Sequence, residues 1–158
     1  MPRSGALPVP LWFLTLTLAL WPANSPPAAS QERIVLPGLD GGQLTAADLA
    51  SGATILVIWA SWSPRCRDIV PQVNALSAAW SSRARVATVV FQEEPEAVRK
   101  FLAGKGLRVS VYLDTTGSFS KKHAVTTLPG LLIFKDGKAE FRGRLPANPD
   151  PVIERILG

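Results

Sequence analysis

At 158 residues the chain is long enough for one packed domain and too short for two of ordinary size. With 47% hydrophobic and 18% charged residues it has the composition of a folded globular protein, which excludes a disordered one. Its net charge of +5 is spread along the chain, the densest pairs being Arg65 with Arg67, Lys121 with Lys122 and Arg142 with Arg144, and no basic stripe interleaved with aromatics points to a nucleic-acid partner.

The first thirty residues carry one charge, Arg3, then the apolar run LWFLTLTLAL at 11–20, then a Pro- and Ala-rich stretch ending in AAS at 28–30. That order of charge, short apolar run and small residues is the pattern of a secretory signal peptide cut after Ser30. A cut after Ser25 also meets the small-residue rule but would leave Pro26 at the new N-terminus. The apolar run falls short of the roughly 20 residues that cross a bilayer, and an uncleaved anchor is the alternative. The expected organisation is a leader over 1–30 and one domain over 31–158. Its product is exported to the periplasm or the extracellular space, soluble after the leader is removed and with no stable membrane insertion. Cysteines normally pair in such compartments, yet Cys66 is the only cysteine, so no disulfide can form within the chain.

LDGGQL (39–44) reads as a turn, and TAADLA (45–50) as a helical turn with Thr45 at its N-cap. ATILVIWA (53–60) is a continuous β-branched and apolar run, the pattern of a strand buried on both faces. A helix is expected from the SPRC segment onward, with Ser63 as N-cap and Pro64 in its first position. Ile69, Val73, Leu76 and Trp80 then share one face, and Pro71 is expected to kink that helix. RVATVVF (85–91) predicts a strand, and EPEAVRKFLAG (94–104) a helix whose early acids and late bases suit the helix dipole. VSVYLD (109–114) predicts a strand and GSFSKKHA (117–124) a short helix. GLLIF (130–134) and AEFRGRL (139–145) predict a hairpin turned at Asp136-Gly137, and DPVIERIL (150–157) a closing helix. The expected class is α/β, a central mixed β-sheet flanked by helices, with parallel crossovers first and an antiparallel hairpin last.

Three segments carry a resemblance: VIWASWSPRCRDIVP (57–71), VYLDTTGSFSKKHAV (111–125) and TTLPGLLIFKDGK (126–138). Together, in this order, they resemble the TlpA/ResA-type exported thiol–disulfide oxidoreductases of the thioredoxin fold, over essentially all of 31–158. The resemblance implies that Ser63 stands where the family has its attacking cysteine and Cys66 where it has the buried, resolving one. It implies that Pro129, preceded by Leu128, matches the family's cis-proline. A substrate groove would then be formed by Trp62, Pro64, Arg65, Leu128 and Pro129. Two carboxylates that relatives carry near the motif are replaced, one by Ile69 and the other by Val57.

In dithiol exchange a thiolate attacks a disulfide and a second thiol resolves the mixed disulfide. A serine cannot take the first role here, because a helix N-terminus contributes only about 0.3–2 kcal/mol and does not ionise an alcohol. A Ser–His pair would need His123, the only histidine, which falls in a different predicted helix. Ser63 therefore reads as a capping residue. For Cys66 two readings stand: an inert buried thiol, or a slowly reactive monothiol helped by Arg65 and Arg67. The S-x-x-C spacing also resembles the T-x-x-C of peroxiredoxins, but Trp59 stands where that family has a proline. One cysteine and one histidine cannot build a closed metal site, so neither metal nor cofactor is expected. The functions compared are a redox-impaired module that binds an exported polypeptide or thiol protein, a monothiol oxidoreductase acting through Cys66, and a one-cysteine peroxidase.

Overall fold

The computed structural model describes Gly5 and residues 33–158; the predicted leader, Gly5 apart, and its cleavage point lie outside the described residues. The elements run β1 (Val35–Pro37), β2 (Gln43–Thr45), α1 (Ala46–Ala50), β3 (Ala53–Trp59) and a 3₁₀ turn (Pro64–Cys66). They continue α2 (Ile69–Trp80), β4 (Arg85–Phe91), α3 (Pro95–Leu102), β5 (Ser110–Asp114) and α4 (Ser118–Lys122). The chain closes with β6 (Gly130–Lys135), β7 (Lys138–Arg144) and α5 (Asp150–Leu157). The main sheet has the order β5-β4-β3-β6-β7, with β3, β4 and β5 parallel and β6 and β7 antiparallel to their neighbours. This is the mixed sheet the sequence predicts.

β3 is the middle strand, which explains why its sequence is apolar without alternation. Ile55, Val57 and Trp59 face one core with Val73, Leu76, Val98 and Ile153 from α2, α3 and α5. Leu56 and Ile58 face the other core, with Leu49 of α1, Phe119 of α4 and Leu36 and Leu44 of the β1–β2 pair. Both faces of β3 are thus removed from water, each large side chain contributing about 1.5–3 kcal/mol. Asp136 (φ 50°) and Gly137 (φ 85°) make the β6–β7 turn, which needs positive φ at both positions. Among the described residues, no helix is long and apolar enough to cross a membrane.

The expected turn at LDGGQL is present and closes a small hairpin, in which Leu36 lies opposite Leu44. Leu39 N–H donates to the Val111 carbonyl at 2.8 Å, so the segment after β1 docks on β5. The helix expected to run from Ser63 is broken: the Pro64–Cys66 turn ends near Asp68 (φ −104°, ψ 31°), and α2 starts at Ile69. The break places Pro71 in the first turn of α2, where a missing N–H has no helical acceptor to leave empty. Pro71 therefore opens the helix instead of kinking it.

Candidate functional site

The parallel crossover from β3 to β4 and the antiparallel return of β6 bring three loops to one edge of the sheet. They follow β3 (60–63), follow β4 (92–94) and precede β6 (125–129). Open α/β sheets bind ligands at such carboxyl-end crevices, where the strand order changes direction.

The first loop is a turn closed by Ser63 N–H donating to the Ala60 carbonyl at 3.2 Å. Its outer residue, Trp62, is 59% exposed. Its ring lies 6.4 Å from that of Phe91 at the end of β4, a tilted aromatic contact. Ser61 ties the loop to its neighbour: its N–H donates to Glu93 Oε2 at 2.6 Å and its hydroxyl donates to Glu93 Oε1. No local motif marks Glu93 apart from its neighbours Glu94 and Glu96. Glu93 lies 32 residues from Ser61, and the parallel pairing of β3 with β4, which ends at Trp59–Val90, brings the two loops together.

Ser63 has extended backbone (φ −80°, ψ 120°), and its carbonyl accepts the Cys66 N–H at 2.9 Å. Its side chain makes no capping hydrogen bond, so the expected capping role is corrected to a backbone one. The Cys66 N–H, three residues on, is taken by the Ser63 carbonyl instead of its hydroxyl. Cys66 is fully buried, 0% exposed, in the same apolar cluster as Val57, Trp59 and Ile69. Among the described residues the only buried acid is Asp114, and α4 occupies both its oxygens through the N–H groups of Phe119 (3.2 Å) and Ser120 (2.9 Å).

The facing wall is the loop before β6. Its Leu128–Pro129 peptide is cis, and Gly130 lets it fold tightly: a Cβ there would meet Val125 Cγ1 at 3.0 Å and the Thr127 carbonyl at 3.1 Å. Among the described residues, the backbone groups of Thr126, Thr127 and Leu128 enter no backbone hydrogen bond. Between the walls lies a groove of about 520 Å³, and Trp62, Ser63, Pro64, Arg65 and Leu128 all line it, joined by Phe91 and residues 125–127. Pro129 does not line it, which corrects the sequence expectation. It stands behind Leu128 at the start of β6, its carbonyl accepting Leu145 N–H at 3.0 Å. Cys66 does not line it either.

A sequence model of the Redoxin family matches residues 22–155. The chain belongs to the Redoxin family. This Redoxin chain is 28% identical over 92 residues to sporulation thiol-disulfide oxidoreductase A of Bacillus subtilis, a match covering 55% of the chain and 56% of that protein. The chain thus spans little more than half the length of this curated relative. In fold it is similar to a thiol:disulfide interchange protein of the thioredoxin family from Chlorobium tepidum (TM-score 0.65, 20% identity, 80% of this chain and 94% of that one). It is also similar to the exposed lipoprotein thioredoxin of Streptococcus pneumoniae (TM-score 0.68, 19% identity, 78% and 97%). The fold is thioredoxin-like.

His123 does not line the groove of this Redoxin domain. It caps α4 and packs between Phe119 (ring centroids 4.6 Å apart) and Phe134 (5.1 Å). Its Nε2 is buried without a hydrogen-bond partner. Burial first, then Lys122 and Arg142, hold its imidazole below the ordinary 6.5. Among the described residues no three His, Cys, Asp or Glu side chains cluster as a metal site would require.

Proposed function

We propose that this chain is an exported, redox-impaired thioredoxin-fold module that holds an extended polypeptide segment in its groove without exchanging disulfides. One observation carries the reading. The groove is lined by Ser63, which resembles the family's attacking position, while Cys66 is fully buried and outside the lining. A serine hydroxyl offers no thiolate at neutral pH, and a thiol without access attacks slowly whatever its charge state. The parts that grip a client remain: an exposed aromatic at Trp62, the apolar lining side chains Phe91, Val125 and Leu128, and backbone donors and acceptors at Thr126–Leu128 that enter no backbone hydrogen bond among the described residues. The client is an exported polypeptide or thiol protein.

Export is supported by the leader pattern of residues 1–30, and one similar structure is of an exposed lipoprotein. Intact-mass measurement of protein secreted with its own leader tests this. A new N-terminus at Gln31 is expected, and retention of residues 1–30 in the membrane fraction overturns it.

Insulin reduction with dithiothreitol tests the function. Wild type is expected to match the uncatalysed rate, and Cys66→Ala to change nothing. Turnover that is present in wild type and lost in Cys66→Ala would restore the monothiol oxidoreductase reading. Rapid peroxide consumption with the same dependence would restore the peroxidase reading.

A further inference from the structure

We propose that the groove selects segments bearing a carboxylate, and that Arg65 is the residue that reads it. The inference rests on the polypeptide-binding reading and adds the chemistry of the partner. Among the described residues Arg65 is the only charged one in the groove lining; the others are aromatic, aliphatic or hydroxyl-bearing. The acid beside this wall, Glu93, has both oxygens engaged by the N–H and hydroxyl of Ser61. Among the described residues it forms no ion pair with Arg65.

Arg65 itself is exposed and enters no ion pair or hydrogen bond of its side chain among the described residues. Its backbone is nevertheless held. It sits inside the 3₁₀ turn, between Pro64 with its restricted φ and Cys66, which is anchored by burial and by its bond to the Ser63 carbonyl. The arrangement is a flexible cation on a fixed base at the rim of an apolar groove. A guanidinium presents its donors as a planar fork that matches a carboxylate, and such a pair strengthens as a bound segment excludes water.

An extended segment laid along Thr126–Leu128 turns alternate side chains to the same side, about 6–7 Å apart. An apolar side chain can then rest on Trp62 and Phe91 while the next one on that side faces Arg65. The favoured client is therefore an extended stretch with an aromatic or aliphatic residue and an acid two positions apart.

The test uses three hexapeptides, SVFVES and its forms with Gln or Lys in place of Glu, titrated by calorimetry into residues 31–158, the expected secreted product. Wild type is expected to bind the Glu peptide roughly fivefold more tightly than the Gln peptide, with the Lys peptide weakest. The preference should shrink in 0.5 M salt, vanish in Arg65→Gln and reverse in Arg65→Glu. Thermal melts of both variants should match wild type, because Arg65 is exposed. Equal affinity for the three peptides overturns the inference and leaves the groove reading standing. A preference that persists in Arg65→Gln also overturns it, by placing the selecting charge elsewhere. Binding of no peptide by any variant overturns the groove reading together with the inference.

Discussion

Ser63 directly precedes the 3₁₀ turn that contains Cys66, and its carbonyl accepts the Cys66 N–H at 2.9 Å, which holds the two residues close. Ser63→Cys is therefore expected to form a disulfide with Cys66 on mild oxidation, seen as a loss of two mass units. It should gain weak insulin-reductase activity. Turnover should stay low, because Val57 and Ile69 leave the thiol of Cys66 without a neighbouring carboxylate to move its proton. A variant as fast as an ordinary C-x-x-C enzyme would remove the proton-transfer argument. In wild type, an uncharged thiol reagent should label Cys66 slowly in buffer and quickly in denaturant; equal rates would contradict its burial. The residue that could not be read in advance is Glu93. Nothing local distinguishes it from Glu94 and Glu96, and its role depends on a partner 32 positions away. Glu93→Ala is expected to free the Ser61–Trp62 loop, lowering the fluorescence anisotropy of Trp62 and weakening peptide binding several-fold. An unchanged Trp62 signal would show that the loop holds itself.

At the scale of elements, the strands and helices of the main sheet were legible because each has its own period or length signal, and β3 declared its central place through an unbroken apolar run. Two features were hidden for identifiable reasons. The three-residue strands β1 and β2 are too short to show alternation around a Gly-Gly turn. The break before α2 was masked because the segment carries two helix-start signals, Pro64 and Pro71, and the apolar face of Ile69, Val73, Leu76 and Trp80 reads the same from either. The N-cap at Thr45 was legible, but the reciprocal bond was not: Asp48 accepts the Thr45 N–H at 2.8 Å, while the Asp48 N–H donates to Thr45 Oγ1 at 3.2 Å. The Thr45 hydroxyl, then the Thr45 N–H, then Arg85 hold the Asp48 carboxyl below its ordinary range. Thr45→Ala is expected to cost about 1 kcal/mol, read by urea denaturation at pH 7. A lowered carboxyl in the fold stabilises above the unfolded value and loses that contribution as pH falls through the folded one. The Thr45→Ala penalty should therefore shrink below about pH 4. A penalty constant from pH 7 to pH 2.5 would separate the cap from the carboxylate.

The molecule as a whole carries more base than acid, 17 Lys and Arg against 12 Asp and Glu, so each proton added on acidification enlarges a net charge already positive. Between pH 7 and 5 His123 is the side chain placed to report this, since it is the only histidine and joins α4 to β6 through two aromatic contacts. Its protonation is opposed by burial, then by Lys122 and Arg142, so the folded chain takes up the proton at lower pH than the unfolded one. In that window the unfolded state binds more protons, and stability therefore rises with pH and falls as pH drops below about 6.5. His123→Phe keeps a ring between Phe119 and Phe134 and removes both the titrating group and the unpartnered Nε2. Urea midpoints at pH 7 and pH 5.2 should differ in wild type by more than in His123→Phe, and the variant should be at least as stable as wild type at the lower pH. Because His123 does not line the groove, peptide affinity should follow neither the substitution nor this pH step once folding is complete. If wild type and variant lose equal stability between the two pH values, the acid sensitivity belongs to the overall positive charge and not to the packing of this one imidazole.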